Sequence, residues 1–471
     1  MTDHTRKAAD LFGGAVTLVP GGVKLNDPAA LRSSATDRLV YQAVFGDEAD
    51  REAARWLLWE LGQVTGARPA SINELYMARG RGECGGFTVP AINVRMLAYD
   101  SARAVFRAAR AGKAGAIILE IARSEIAYTE QRPAEYVAVV IGAALREGYT
   151  LPLFIQGDHC QVNAKKYAAD ADAEVGEVQK LIAEEVAAGF YNVDVDTSTL
   201  VDLSQPTLDE QQRANYERCA EITAFIRERE PEGVTVSVGG EIGEVGHKNS
   251  TVEELHAFMQ GYNRALAALG PYEGISKISV QTGTSHGGVV LPDGSIAEVK
   301  LDLDALAALA REARNGYGLA GAVQHGASTL PSNAFSHFPR VEACEIHLAT
   351  NFQNIVFDHP RLPADLRKRA YAWLDENAQG ERKAGDSDEQ FYYKARKKAI
   401  GPFKRECWDL PQDVRDAVAA DLEKTFRFLF EQLNVNGTES LVDRLIHAPV
   451  QHHASLEKVL VSAEDDPDAG E

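Results

Sequence analysis

The sequence predicts a closed (β/α)8 barrel with helical extensions at both ends. Three observations carry that expectation. Eight short runs rich in β-branched and other apolar residues recur between Phe87 and Ala349. Each is near-continuous in apolar residues, as a parallel strand covered on both faces requires. The segments between them carry helical periodicity. The runs are 87–93, 116–121, 151–157, 191–196, 234–241, 275–282, 320–324 and 343–349. An open, doubly wound sheet is the competing reading. However, no Gly-x-Gly-x-x-Gly follows the first run, and eight units close a barrel without remainder.

The connecting elements follow in order. Trp56, Leu57, Trp59 and Leu61 mark a helix over 49–61, and Ser71-Ile-Asn-Glu74 reads as a cap opening a short helix before the first strand. Val175, Val178, Leu181, Ile182 and Val186 share one helical face, and Thr251-Val-Glu-Glu254 is a capping box. Residues 378–390 are polar and read as a loop. Beyond them Val414, Val418, Leu422, Phe426, Leu429 and Leu433 form a stripe that packs on the barrel or on a second subunit. The chain thus divides into a helical extension (1–84), the barrel (85–377), a C-terminal loop and helical arm (378–460) and a solvated acidic tail (461–471).

Composition narrows the partners. Against 69 acidic residues stand 49 Lys and Arg, a formal net charge of −20. Such a surface repels nucleic acid and anionic membrane. No apolar run approaches the ~20 residues that span a bilayer, and the first 20 residues do not form a secretory signal. Five cysteines without a Cys-x-x-Cys read as reduced thiols, so a cytoplasmic location is expected.

In a barrel of this kind the C-terminal strand ends share one mouth. The third run ends in Gln156-Gly-Asp158-His159-Cys160 and the fifth in Gly239-Gly-Glu241-Ile-Gly243. The sixth leads to Thr284-Ser-His286-Gly287-Gly288 and the seventh to Gln324-His325-Gly326-Ala-Ser328. Three histidines, out of only 12 in the chain, should therefore converge with an aspartate and a glutamate. Three neutral imidazoles with an open position are the ligand set of a catalytic zinc. His159 also reads as a proton carrier. Asp158 should diverge from its neighbour's side chain, which leaves it for acid–base or orienting work. Gly287, Gly326 and Ser328 would let backbone amides approach an anion; two plain glycine-containing turns are the lesser alternative.

The order of these segments resembles the class II, metal-dependent fructose-bisphosphate and tagatose-bisphosphate aldolase family. Gly86-Phe-Thr-Val-Pro-Ala-Ile-Asn93, Gly157-Asp-His159, Ala188-Gly-Phe190, Glu241-Ile-Gly243, His286-Gly287, His325-Gly-Ala-Ser328 and His347-Leu-Ala-Thr350-Asn351 carry the likeness, as does Phe391-Tyr-Tyr393 in the arm. The resemblance implies that His159, His286 and His325 bind zinc, that Glu241 can join the metal, and that Asp158 exchanges a proton with an aldehyde oxygen. It implies that Gly287, Gly326 and Ser328 cradle the phosphate of a dihydroxyacetone-phosphate donor beside a monovalent cation, with Asn93 and Asn351 as further substrate contacts. A homodimer or higher homo-oligomer is also implied.

Three departures accompany it. Gln156 stands where the family has histidine, and Val245-Gly-His-Lys-Asn-Ser250 replaces an acidic run on a loop. At the eighth strand, His347-Leu-Ala349 replaces Asn-x-Asp. Glu244 or His247 would then supply the proton-abstracting base. Arg123, Lys248, Lys397, Lys398 and Lys404 are available for a second phosphate. The expected activity is reversible aldol cleavage of a ketose (bis)phosphate. A non-catalytic partner subunit of a tagatose-bisphosphate aldolase, and a metal-dependent sugar epimerase or isomerase, are the alternatives.

Overall fold

The computed structural model describes residues 2–243, 248–283, 291 and 301–453. Glu244, His247, His286, Gly287 and the acidic tail lie outside the described residues. All eight apolar runs form strands: β1 (Val89–Asn93), β2 (Ile118–Ala122), β3 (Leu153–Gln161), β4 (Asn192–Asp196), β5 (Ser237–Glu241), β6 (Lys277–Val280), β7 (Ala322–Gln324) and β8 (Glu345–Leu348). Each pairs in parallel with its sequence neighbours, and β8 pairs with β1, so the ring closes. The expected barrel is the fold.

The N-terminal end of the ring is stoppered by charge as well as by carbon. Helix Asn73–Gly80 inserts Tyr76 and Arg79, both fully buried. The Arg79 guanidinium donates to Ala320 O at 3.1 Å and Phe87 O at 2.5 Å, closing strand ends that would otherwise keep unpaired carbonyls. The Tyr76 hydroxyl donates to Glu345 inside the ring. The predicted cap at Ser71 is only partly formed. The Ser71 hydroxyl accepts from Asn73 N at 3.1 Å, while the Glu74 carboxylate takes His447 N of the returning C-terminal segment. The N-terminal segment also carries a two-stranded hairpin, Val16–Val19 with Gly22–Leu25.

Helix Gln412–Gln432 buries Val414, Val418, Leu422, Phe426 and Leu429 and packs along barrel helix Ala98–Gly112. The apolar stripe therefore serves the barrel. The polar stretch 378–390 is shorter as a loop than expected. A 3-10 turn forms at Gln379–Glu381, and a helix starts at Asp388, with Ser387 and Gln390 in a reciprocal capping box. This arm brings Lys383, Tyr393, Lys394 and Lys397 over the mouth. Among the described residues, no helix is long and apolar enough to cross a membrane.

Leu422 is fully buried in the seam between arm and barrel. Leu422→Ala should destabilise the fold by about 2–5 kcal/mol, the usual cost of a large-to-small change in a packed core, read as a lower urea midpoint.

Candidate active site

Side chains alternate along a regular strand, yet Asp158 and His159 both line the mouth. The reason is a β-bulge: the pairing of β3 with β4 slips between Gly157 and Cys160, and His159 adopts a left-handed φ of 43°. A bulge re-aims the residues it carries. The expectation that the two side chains diverge is thereby corrected. Behind the bulge, Glu185 of helix Ala171–Ala188 occupies the space a side chain at 157 would need; a Cβ there would sit 2.5 Å from Glu185 Oε2. Cys160 Sγ lies 3.3 Å from the same oxygen. Burial pushes the Glu185 carboxyl up to about 8.

His159, Glu241 and His325 present ligating atoms that all lie within 4.8 Å of one another. Two imidazoles and a carboxylate suit zinc by donor chemistry. Their outer partners hold them in place: Asp196 Oδ2 meets His159 Nδ1 at 3.1 Å, and Ser279 Oγ meets His325 Nε2 at 2.8 Å. The residues present therefore fit a divalent cation. Asp158, His325 and His347 meet the same distance test.

Electrostatics agree with cation affinity. Burial disfavours a charged His159, but Asp158, Asp196 and Glu241 outweigh it and hold its pKa well above the ordinary value. Burial, then the neighbouring Asp196, pushes Glu241 up to about 8. Burial, then Asp158, pushes Glu120 up to about 7. A divalent cation would displace protons from such a cluster.

Sequence reasoning marked His347 only as a departure from the family pattern, gave it no role, and missed the ionic floor beneath it. His347 Nε2 lies 2.7 Å from Glu345 Oε1, and its Nδ1 lies 3.1 Å from both Glu120 Oε2 and Asp158 Oδ1. Its ring stacks on His325 with centroids 4.0 Å apart. Below, the fully buried Lys277 reaches Glu345 Oε1 at 2.5 Å, Gln156 Oε1 at 2.7 Å and Asp194 Oδ1 at 2.9 Å. Burial opposes its charge, but Asp194 and Glu345 raise its pKa well above that of a free lysine. Gln156, the departure from histidine, also donates to Glu120 at 2.9 Å and to Glu345 at 3.0 Å. Gly239 makes room for the ammonium, since a Cβ there would lie 2.9 Å from Lys277 Cε. The signal in the sequence was a charge at alternate positions of apolar strands: Glu120 in β2, Asp194 in β4, and Glu345 and His347 in β8.

The mouth opens into a cavity of about 720 Å³. Asp158, His159, His325, Gly326, Ser328 and His347 line it. Gly326 has the left-handed φ of 67° that a side chain resists, and the Ser328 hydroxyl accepts from Ala349 N at 2.6 Å. Arg95, Arg123, Lys166, Lys383, Lys394 and Lys397 line the same cavity, together with Glu120, Glu125 and Glu381. Arg95 pairs with Glu125, Arg123 with Glu174 and Lys394 with Asp386. Burial and then the nearby Arg95 lower the Lys397 pKa, so an anion beside Lys397 would be stabilising. Lys398 and Lys404 are engaged elsewhere, by Glu381 and Glu135. Neither Asn93 nor Asn351 lines this cavity. Asn93 is buried at the end of β1, accepting from Arg95 Nε at 3.3 Å, and Asn351 lines a neighbouring cavity.

Residues 80–407 match the sequence family described as fructose-bisphosphate aldolase class-II. The chain belongs to that family. No curated protein sequence matches it. Among solved structures, this class-II aldolase family member resembles the fructuronate-tagaturonate epimerase UxaE from Cohnella laeviribosi at 15% identity and TM-score 0.51, over 84% of this chain and 90% of that one. A probable tagatose 6 phosphate kinase from Sinorhizobium meliloti 1021 aligns at 15% identity and TM-score 0.50, over 76% and 93%. The YdjI aldolase from Escherichia coli K12 aligns at 13% identity and TM-score 0.46, over 79% and 99%. At these identities the likeness is one of fold.

Two outcomes follow. Lys277→Met leaves Asp194 and Glu345 buried without their cation, and should cost about 3–5 kcal/mol of stability in chemical denaturation. Glu185 titrates near 4.5 when unfolded and near 8 when folded, so its contribution to stability is full below 4.5 and lost as pH rises to 8. Glu185→Gln cannot ionise. Its stability relative to the native sequence should climb between those two values, and a pH-independent difference would contradict the assignment.

Proposed function

We propose that the protein is a zinc-dependent aldolase that reversibly cleaves a ketose (bis)phosphate into a dihydroxyacetone-phosphate-like ketone and an aldehyde. The observation that carries the reading is the grouping of His159, Glu241 and His325 within ligating distance, with His159, His325 and Asp158 lining a cavity that several Arg and Lys side chains also line. His159, Glu241 and His325 would hold the zinc, with His286 as a further ligand. When bound, zinc supplies Lewis-acid polarisation of a carbonyl oxygen. Asp158 gives a proton to the aldehyde oxygen in condensation and takes it back in cleavage. Burial beside His347 fixes the Asp158 carboxylate in place for that exchange. Glu244 and His247, which follow β5 in the sequence, are the groups proposed to take the proton from the carbon acid.

Backbone at Gly287 and Gly326, together with Ser328, would receive the donor's phosphate, beside which a monovalent cation is proposed. Arg95, Lys383 and Lys397 would receive an anionic group at the other end. These are local donors, and they override the −20 global charge at short range.

One observation favours a second reading. An epimerase needs two acid–base groups, and His347 stands 3.1 Å from Asp158 as a second proton-carrying side chain. Incubation with ketose mono- and bisphosphates separates the two: an aldolase releases triose, whereas an epimerase returns only isomeric sugars.

Chelation should abolish triose release and added zinc restore it, while borohydride with substrate should leave the enzyme active. A lysine adduct trapped by borohydride would sink the proposal. His325→Ala should strip the metal, measured by elemental analysis of the folded variant. Full zinc retention there would remove the ligand assignment.

A further inference from the structure

Glu120 sits mid-strand in β2, fully buried, at the floor of the mouth cavity. Its two oxygens are unequally employed. Oε2 accepts from Gln156 at 2.9 Å and lies 3.1 Å from His347 Nδ1. Oε1 has no hydrogen-bond partner among the described residues, although it is shut away from solvent. Neighbouring donors are committed: the Gln156 amide is already shared between Glu120 and Glu345, and Lys277 is held by Asp194, Glu345 and Gln156. A buried acceptor left unmet costs about 1–3 kcal/mol, and more when it is charged. Because Glu120 is also one of the residues lining the cavity, its unmet oxygen is placed for a ligand that donates once one displaces the side chains covering it. A carbonyl or phosphate oxygen cannot do so; a hydroxyl can.

We propose that Glu120 is a specificity-determining residue that accepts a hydrogen bond from a ligand hydroxyl, so that the mouth takes polyhydroxylated carbonyl compounds and rejects their deoxy counterparts. The inference rests on the reading of the mouth as a sugar-derived carbonyl site, and it names the feature by which that site selects. The physical basis is asymmetric. The ligand that lacks the hydroxyl leaves the carboxylate buried and unmet, and sites built this way discriminate far more strongly than apolar pockets do.

The test titrates the zinc-loaded protein calorimetrically with dihydroxyacetone phosphate and with hydroxyacetone phosphate, which differ by one hydroxyl. The native protein should prefer the former by about a hundredfold or more. Glu120→Ala should reduce the preference to a few-fold without weakening hydroxyacetone phosphate. Glu120→Met, which keeps the length of the side chain, stands in if the alanine variant does not fold. An unchanged preference in either folded variant, or none in the native protein, overturns the inference.

If neither phosphate binds the native protein, the aldolase reading falls. The question then passes to xylitol and pentane-1,5-diol, which carry no carbonyl or phosphate. Selection of xylitol that is lost in the Glu120 variants upholds the hydroxyl contact; no such selection overturns it. A crystal structure of the native protein with whichever ligand binds decides without any variant. A ligand hydroxyl at hydrogen-bond distance from Oε1 supports the contact, and a water or a carbon there refutes it.

Discussion

The ammonium of Lys277 is the charge around which the inside of this barrel is arranged. Inward positions in such barrels are ordinarily filled by branched aliphatic side chains. Here a buried lysine is ringed by Asp194, Glu345 and Gln156, and each of those partners reaches further. Glu345 faces His347, His347 faces Asp158, and Gln156 holds Glu120. Two buried carboxylates of this floor, Asp194 and Glu345, thus share Lys277, with His347 beside both. A network of this kind orients its members strongly when complete and is costly when broken.

Above that floor, geometry depends on one irregular residue. The slip between Gly157 and Cys160 lets a single strand present Asp158 and His159 to the same space, with Glu185 packed behind it. The C-terminal arm contributes Lys383, Lys394 and Lys397 to the same cavity, so the chain returns to finish a site that the barrel strands begin. Metal-seeking donors and anion-seeking cations line the same cavity. A strongly acidic protein can hold a phosphorylated ligand under those conditions, because salt screens its exposed surface charges over a short distance.

The barrel was readable because strands covered on both faces leave continuous apolar runs, and all eight runs became strands. The capping box at Thr251 formed as expected, with Glu254 N donating to Thr251 Oγ1 at 3.2 Å and Thr251 N to Glu254 at 2.8 Å. The site was readable where a histidine or carboxylate ended a strand, at Asp158, His159, Glu241 and His325. His347 was noted as a departure from the family's Asn-x-Asp but given no role, because the resemblance offered none for an imidazole there. Glu120, Asp194, Lys277 and Glu345 lie within strands, and only their alternation with apolar neighbours marks them as inward. The bulge has no sequence signature of its own beyond Gly157. The fit of Lys397 to an anion depends on where the arm folds, which no local pattern encodes.

Filling the barrel axis with Glu, Asp, Lys and Gln has a thermodynamic corollary. Unfolding hydrates polar surface in that region, where an aliphatic barrel core would hydrate carbon, and the two contribute to heat capacity with opposite signs. The ring should therefore add less to the heat-capacity increment than its size suggests. Its stability would then fall away more gently on both sides of the temperature of maximum stability, giving this part of the molecule a broader thermal range at the expense of peak strength.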